Sequence, residues 1–290
     1  MADRLRHGLI PAVPVPFRGD VIAERAQRDY AAWMAQRAVA GVAVWAHTGR
    51  GRHLKAEQRQ TVIETWREAM SGRIIIAGAS DIGTAIQARR HKADALLAFP
   101  DRSDPIAYHT RLSRELPTLA FWLYEAAGGV AYDVATLHSI LDLPGIVGLK
   151  VATLDSVMTF QRLATIVAQH PGKLLVTGED RFLGASLMWG AESALVGMGA
   201  ALPEPQAALI GAHAAEDWPR FHRLSGLVDR FAQATFSEPM EGYIRRMLWA
   251  AAADGALPDD ACDDPWGPDL PAAERELVES VVRSAREAGA

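Results

Sequence analysis

The chain has 290 residues, 49% of them apolar and 22% charged, a composition typical of globular proteins with enough length for a full core. Its net charge of −5 gives no reason to expect nucleic acid or an anionic membrane as a partner, and its single cysteine, Cys262, excludes an intramolecular disulfide and suits the cytoplasm, where we expect the protein. The N-terminal stretch lacks the apolar core of a signal peptide, and no run of about 18 uncharged apolar residues predicts a membrane span.

Eight short apolar runs alternate with longer amphipathic segments. The runs are continuously apolar, as expected for parallel strands that are covered on both faces. Their starts lie about 20 to 35 residues apart, which leaves room for one strand, one helix and two loops. The eight runs are 9–15, 42–46, 74–79, 95–99, 118–123, 146–150, 174–177 and 194–199.

The segments between these runs have the periodicity and the end signals of helices. In the segment after the second run, Val62, Ile63 and Trp66 fall on one face. The segment after the sixth run offers Asp155 or Ser156 as its N-terminal cap. Strands that alternate with helices in this way indicate an α/β protein with a parallel sheet.

Eight strand–helix units over about 200 residues predict a (β/α)8 barrel. A doubly wound sheet usually carries a glycine-rich fingerprint after its first strand, whereas here that strand leads into PFRGD. About 90 residues with helical patterns follow the eighth run. We therefore predict a barrel in residues 1–203 and a C-terminal helical region, packed on the barrel, in residues 204–290.

In a barrel of this type, functional groups gather at the carboxyl ends of the strands. The second run ends in 46-AHTGRG-51, the fifth in Tyr124 and the sixth in Lys150. These positions are distant in sequence, but a barrel places all of them on one face.

Lys150 is one of only four lysines, and it ends an otherwise apolar run. A lysine at a strand exit is ordinarily solvated. In an apolar pocket, however, burial lowers the pKa of a lysine from about 10.4 towards neutrality, and the neutral amine can attack a ketone to form an iminium ion. The apolar run leaves both interpretations open.

Two further groups fit the second interpretation. Tyr124 is either a packed ring or, beside Lys150, a proton carrier for a carbonyl or alkoxide oxygen. The hydroxyl of Thr48 and the backbone N–H groups around Gly49 are suited to hold a carboxylate, although a glycine turn between strand and helix explains them as well. The nine histidines form no H-E-x-x-H motif and there is no G-x-S-x-G elbow, so we expect neither a metal site nor a serine hydrolase.

These stretches resemble motifs of the dihydrodipicolinate synthase / N-acetylneuraminate lyase family of class I, Schiff-base-forming aldolases. The segment 8-GLIPAVPVPF-17 is similar to the family's G-x-x-P-A-x-x-T-P-F, 46-AHTGRG-51 stands at the place of G-T-T-G-E, and 75-IIAGAS-80 at the place of V-I-A-G-x-G. Tyr124 stands where Y-N-x-P begins, and 145-GIVGLKVATLDS-156 is close to N-I-V-G-I-K-x-A-T-x-D. The segment starting 177-TGED-180 resembles S-G-D-D, so the resemblance covers nearly the whole chain.

The resemblance implies roles for particular residues. Lys150 is then the Schiff-base lysine, and Tyr124 is the phenol that shuttles protons. Thr48 and its backbone neighbours, including Gly49, bind the carboxylate of pyruvate or of a similar small 2-oxo acid. The resemblance also implies that the protein needs no metal or organic cofactor and that it assembles as a homotetramer or a homodimer.

The sequence departs from the synthase at several places. His47 replaces the first threonine of the family's pair, and Arg50 replaces the glutamate after the glycine. The synthase's second tyrosine, supplied by a neighbouring subunit, has no counterpart in 97–105. Gly129 stands where the synthase has the arginine that grips its second substrate.

Three functions remain open on these residues. The first is a Schiff-base lyase, an aldolase or a dehydratase, acting on a 2-oxo acid such as a 2-keto-3-deoxy acid. In it His47 replaces the threonine as a proton carrier, and a distal carboxylate binds to Arg50, Arg102 or Arg181. The second is a true dihydrodipicolinate synthase that condenses pyruvate with aspartate semialdehyde. The third is a noncatalytic 2-oxo-acid-binding protein.

Overall fold

Eight parallel strands form the centre of the structure, a computed structural model in which residues 1–289 are described. Every predicted apolar run overlaps one of them, which confirms the predicted (β/α)8 barrel. The strands are β1 (Leu9–Pro11), β2 (Gly41–Val44), β3 (Ile74–Ala79), β4 (Ala95–Ala98), β5 (Thr118–Leu123), β6 (Ile146–Ala152), β7 (Leu174–Thr177) and β8 (Ser193–Val196).

From β2 to β8, each strand pairs with the next one in the chain, and β8 pairs with β1. A parallel bridge between Ala12 and Ala43 brings β1 against β2 and closes the ring. A short antiparallel hairpin of Phe17–Arg18 and Val21–Ile22 follows β1. The prediction extended β1 to residue 15, but the prolines at 14 and 16 lack the N–H that a longer ladder needs.

Helices cover the outside of the barrel and continue beyond it. One helix follows each strand, from α2 after β1 to α9 after β8. Within residues 1–289, no helix is long and apolar enough to cross a bilayer. The helices are α1 (Ala2–Leu5), α2 (Glu24–Met34), α3 (Ala56–Ala69), α4 (Ile82–Arg90), α5 (Pro105–Glu115), α6 (Val134–Leu141), α7 (Val157–Ala168), α8 (Leu183–Met188), α9 (Pro203–Ala214), α10 (Trp218–Thr235), α11 (Tyr243–Ala253) and α12 (Ala272–Gly289).

Local sequence signals explain where several helices begin. An aspartate caps each of four helices by accepting a hydrogen bond from the N–H group three residues later, which satisfies a donor that the helix itself leaves open. The predicted face of α3, with Val62, Ile63 and Trp66, is fully buried. Ser156 occupies the cap position of α7, as one of the two predicted alternatives. The four capping residues are Asp81, Asp104, Asp133 and Asp217.

Strand β6 continues two residues beyond its predicted end at Lys150. Val151 and Ala152 remain in register with β5, and Val151 also pairs with β7. Both are small or β-branched apolar residues that extend a buried strand without cost. Lys150 therefore lies inside a strand, flanked on either side by Phe121 of β5 and Val176 of β7.

The chain returns to the mouth of the barrel twice after its last strand. Arg246 of α11 is buried and donates hydrogen bonds to the carbonyl groups of Ser237, Glu238 and Pro239, which fixes the turn between α10 and α11. Further on, Asp263 forms a bridge with Phe17 in the hairpin after β1. The C-terminal helices thus carry loops that contact the carboxyl ends of the strands. The division into residues 1–203 and 204–290 stays a prediction.

Candidate active site

Lys150 projects from β6 into the mouth of the barrel and is only 6% exposed. Its Nζ lies 4.1 Å from the centre of the Phe121 ring. A Cβ atom at position 178 would lie 2.6 Å from Lys150 Cε, so Gly178 leaves the space that the lysine stem occupies. Burial lowers the pKa of Lys150 to about 8, against the opposing effect of nearby carboxylates. A substantial share of the amine is therefore neutral near physiological pH.

Two buried carboxyl groups follow β7 beside the lysine. Asp180 accepts a hydrogen bond of 2.7 Å from the N–H of Met198, and burial raises its pKa. Glu179 accepts hydrogen bonds from the N–H and hydroxyl groups of Thr153, and burial raises its pKa to about 8. Both negative charges favour the protonated amine of Lys150, so they limit how far burial lowers its pKa.

Tyr124 follows β5 directly and lines the same cavity as Lys150. Its hydroxyl group donates a hydrogen bond of 3.2 Å to Oε1 of Glu241. Burial, followed by the negative charge of Glu241, raises the pKa of Tyr124. The phenol is therefore protonated and able to donate.

The cavity between these groups has a volume of about 30 Å³, room for one or two water molecules. It contains Lys150, Tyr124, His47 and Thr48, four of the six residues predicted for the site. A 2-oxo acid exceeds this volume, so binding requires side chains at the mouth to shift. The cavity is lined by His47, Thr48, Phe121, Leu123, Tyr124, Lys150, Ala152, Leu154, Gly178, Asp180, Gly197, Phe236 and Tyr243.

The turn after β2 is held in an unusual backbone conformation. Trp45 and Arg50 have φ values of 55° and 51°, in the left-handed region that side chains rarely adopt. Within the described part of the chain, the N–H groups of His47, Thr48 and Gly49 donate no hydrogen bond to the protein. Successive N–H groups in a tight turn form an anion-binding concavity, which fits the predicted carboxylate site.

Thr48 itself is held from the C-terminal region. Its Oγ1 lies 3.0 Å from the hydroxyl group of Tyr243, a buried residue at the start of α11. The sequence lacked a second tyrosine in the segment where the synthase has one. Tyr243 brings a phenol to the threonine from within the same chain.

Glu241 joins three predicted residues into one network. Its Oε1 lies 2.9 Å from Nε2 of His47 and accepts from Tyr124, and its Oε2 accepts a hydrogen bond of 3.0 Å from Arg50. Burial alone would raise the pKa of Glu241, but the hydrogen bonds and charges of His47 and Arg50 outweigh burial and lower the pKa to about 2. Glu241 is therefore a permanent carboxylate at the mouth of the barrel.

Arg50 is 5% exposed and is held by a second carboxylate. Its Nε and Nη2 donate hydrogen bonds of 3.0 and 2.6 Å to Asp264, which is itself 2% exposed. None of the three candidate arginines belongs to the lining of this cavity. Arg102 donates to the carbonyl group of Gly129, and Arg181 donates to that of Phe236.

Sequence reasoning missed Asp180, Glu241, Tyr243 and Asp264. Asp180 lies in the TGED segment that resembles the family's S-G-D-D, but the sequence predicts no site role for it. The other three lie at the start of α11 or in the turns on either side of it, about 200 residues beyond the turn after β2. The segment 237-SEPMEGY-243 offers only a break between helices as a signal.

Parallel strands around a closed ring, with polar groups collected at their carboxyl ends, define the class of (β/α)8-barrel proteins. The profile of the Dihydrodipicolinate synthetase family matches residues 6–268, and the chain belongs to this family. Membership supports a class I lyase of this family and confirms the resemblance of the sequence motifs.

Individual relatives agree with this assignment. The chain is 29% identical over 268 residues to a 4-hydroxy-tetrahydrodipicolinate synthase from Rhodospirillum centenum, which covers 87% of this chain and 91% of the relative. An N-acetylneuraminate lyase from Mycoplasma synoviae shares the fold with a TM-score of 0.79 and 21% identity over 98% of this chain and 99% of its own. A dihydrodipicolinate synthase from Bacteroides thetaiotaomicron shares it with a TM-score of 0.82 and 20% identity over 97% and 98%.

Proposed function

We propose that the protein is a Schiff-base-forming lyase, an aldolase or dehydratase that acts on pyruvate or a 2-keto-3-deoxy acid through Lys150. One observation carries the proposal: the buried amine of Lys150 lines the same cavity as the phenol of Tyr124, in a barrel that belongs to an aldolase-type family. Their shared cavity supplies both a nucleophile and a proton donor to one carbonyl group.

In the proposed reaction, the neutral amine of Lys150 attacks C2 of the 2-oxo acid. The carbonyl oxygen takes up one proton from the attacking nitrogen and one from Tyr124 and leaves as water, and the nitrogen becomes an iminium ion. In an aldol cleavage, the C3–C4 bond then breaks and its electron pair moves into an enamine. Tyr124, now deprotonated, accepts the proton of the C4 hydroxyl group as the aldehyde leaves. In a dehydration, the deprotonated Tyr124 instead removes a proton from C3 and passes it to the C4 hydroxyl group, which leaves as water.

The turn after β2 holds the other end of the substrate in this proposal. The N–H groups of His47, Thr48 and Gly49 point to a carboxylate site, and the hydroxyl group of Thr48 adds a fourth donor. His47 keeps its proposed role as a proton carrier, through its hydrogen bond to Glu241. Arg50 supports the site by holding Glu241 and Asp264 in place.

A true 4-hydroxy-tetrahydrodipicolinate synthase is the second candidate, because the relative from Rhodospirillum centenum has that name. Position 129 argues against it. The synthase has an arginine there for its second substrate, whereas a Cβ atom at Gly129 would lie 1.7 Å from the carbonyl oxygen of Leu123. The backbone of this loop is therefore shaped for glycine.

Trapping with borohydride tests the proposal. Incubation with pyruvate and borohydride, followed by intact-mass measurement, should add one reduced pyruvate to the wild-type chain and none to Lys150→Ala. Turnover of pyruvate with aspartate semialdehyde by the untreated enzyme would favour the synthase. A failure of every 2-oxo acid in a panel to label the chain would favour a noncatalytic binding protein and contradict the proposal.

The cellular location, the oligomeric state and the cofactor requirement belong to the same proposal. We propose a cytoplasmic homotetramer or homodimer that needs no metal or organic cofactor, as the family resemblance implies. Light scattering of the purified chain measures the oligomeric state, and activity after treatment with a chelator tests the independence from metal.

A further inference from the structure

A second cavity adjoins the candidate active site, between the turn after β2 and the loop after β5. It has a volume of about 350 Å³, which is in the range of small-molecule sites and much larger than the cavity around Lys150. Two arginines, two histidines and two small residues form its lining, which is therefore basic. The lining residues are His47, Arg50, Gly51, Arg52, His53 and Ala127.

The two arginines of this lining differ in what they contact. The guanidinium group of Arg50 already donates hydrogen bonds to the carboxylates of Asp264 and Glu241. The side chain of Arg52 is exposed and, within the described residues 1–289, forms no ion pair and donates no hydrogen bond. Arg52 therefore has its N–H donors available for a ligand.

The guanidinium group of Arg52 lies against the loop after β5. Its Cζ is 5.6 Å from the centre of the Phe99 ring, and a Cβ atom at position 128 would lie 3.0 Å from its Nη1. Gly128 has a φ of 81°, a conformation that favours glycine, and its missing side chain leaves room for the guanidinium group. The aromatic face holds this cation while its N–H donors stay available.

The electrostatics of the second cavity favour an anion. Burial lowers the pKa of His53, and the positive charges of Arg50, His47 and Arg52 lower it further. These basic groups therefore repel one another around the cavity. An anion bound among them would relieve that repulsion.

The position of the second cavity defines which part of a substrate can reach it. The two cavities share His47, whereas Lys150 and Tyr124 belong to the lining of the first. The N–H groups of Ala127 and Gly129 donate to the carbonyl group of Tyr124, so the loop that borders the second cavity folds back onto this residue. In the proposed function, Tyr124 acts on the oxygen at C4. A substrate that continues beyond C4 therefore meets the second cavity.

We infer that Arg52 determines substrate specificity: its guanidinium group binds a carboxylate or phosphate at the far end of the substrate, which is a 2-oxo acid with a second anionic group. The turn after β2 then serves both ends, with the N–H groups of residues 47–49 for the first carboxylate and the Arg52 side chain for the distal anion. The inference rests on the proposed Schiff-base function, because it assumes that C2 is bound at Lys150.

Two matched pairs of probes isolate the distal charge. The first pair is 2-oxoglutarate and its 5-methyl ester, and the second is 2-keto-3-deoxygluconate and its 6-phosphate. For each probe, the concentration that gives half-maximal borohydride labelling is measured by intact mass, with pyruvate as reference. Every reduced adduct is counted, since the longer probes can be cleaved before reduction. We expect the wild-type protein to need about tenfold less of the anionic member in at least one pair, and that pair identifies the anion.

The variants assign the effect to Arg52. Arg52→Gln should reduce the preference within the favoured pair about tenfold, and Arg52→Lys should keep part of it, because an ammonium group retains the charge but not the planar fork. Arg25→Gln is the control, since it removes the same charge from an exposed position on α2. The ratio within a pair cancels any general effect on labelling, and circular dichroism checks that each variant is folded.

Different results overturn different claims. If pyruvate labels the wild-type chain but neither pair favours its anionic member, the specificity inference is wrong while the Schiff-base proposal stands. The inference is also wrong if Arg52→Gln leaves the ratio unchanged, or if Arg25→Gln reduces it equally. If pyruvate fails to label the wild-type chain under any condition, the proposed function itself fails, and the inference fails with it.

Discussion

At the scale of single residues, Gly178 controls where the amine of Lys150 lies. The glycine follows β7, and its missing side chain leaves the volume through which the lysine stem passes. The end of a lysine chain is flexible and yields when crowded. An added methyl group therefore displaces the amine from the phenol more than it destabilises the barrel.

Gly178→Ala is accordingly expected to slow borohydride labelling by pyruvate at least about tenfold and to lower the free energy of unfolding by about 1–3 kcal/mol. Labelling kinetics and urea denaturation measure the two effects. Gly211→Ala in α9 is the matched control, since a Cβ atom there meets nothing within 4 Å. Unchanged labelling by Gly178→Ala would show that the amine is not held by this contact.

The pH dependence of labelling follows from the environment of the same amine. Burial lowers the pKa of Lys150 to about 8, and the neutral form is the nucleophile, so the rate of labelling should rise as pH increases from 6 to 9. Cyanoborohydride permits the measurement over this range.

Asp180→Asn should move the midpoint of that profile to lower pH, because the negative charge of Asp180 raises the pKa of Lys150 and its loss favours the neutral amine. The asparagine can still accept a hydrogen bond from Met198, so the loop keeps its anchor. A midpoint near 10.4 in the wild-type protein would indicate a solvated lysine and contradict the buried geometry.

At the scale of elements, one ion pair attaches the connection between α11 and α12 to the turn after β2. Arg50 and Asp264 are both almost fully buried and share two hydrogen bonds. Trp266 packs against the rings of Phe17 and His53 close to this pair. The connection, although rich in proline, aspartate and glycine, is therefore held firmly at the barrel mouth.

Removal of the acid from this pair should be costly. Asp264→Ala leaves Arg50 buried with only one of its two carboxylates, and we expect the free energy of unfolding to fall by about 3 kcal/mol. Asp260→Ala is the control, since it breaks an exposed pair with Arg18 and should cost less than about 1 kcal/mol. Equal losses in urea denaturation would mean that burial of the first pair has no energetic consequence.

At the scale of the whole molecule, the barrel could be predicted from the sequence, because a buried parallel strand is recognisable as a short continuous run of apolar residues. Apolar runs such as 174–177 needed no knowledge of distant residues, and the order of the ends of β5 and β6 placed Tyr124 and Lys150 on one face. Strand β1 ends earlier than predicted, because of its prolines, and β6 ends later. These two differences concern only the boundaries of the strands.

The C-terminal contribution was not predictable in the same way. Glu241 and Tyr243 are ordinary residues in a helix break, and nothing local tells which surface that break meets. Their partners, Thr48 and Arg50, were recognised, but a hydrogen bond between side chains almost 200 residues apart leaves no periodic signal in one sequence. These long-range polar contacts could therefore be identified only from the three-dimensional structure.

The C-terminal segments that return to the mouth of the barrel have a consequence for protein engineering. Since the chain around α11 supplies Glu241, Tyr243 and Asp264, a hybrid that joins a relative's strands to this tail should stay active only where the relative carries partners that match His47, Thr48 and Arg50. Exchange of residues 204–289 between two family members, assayed with each parent's substrates, measures this directly. The tail and the turn after β2 must then change together, because each supplies one partner of every hydrogen bond that joins them.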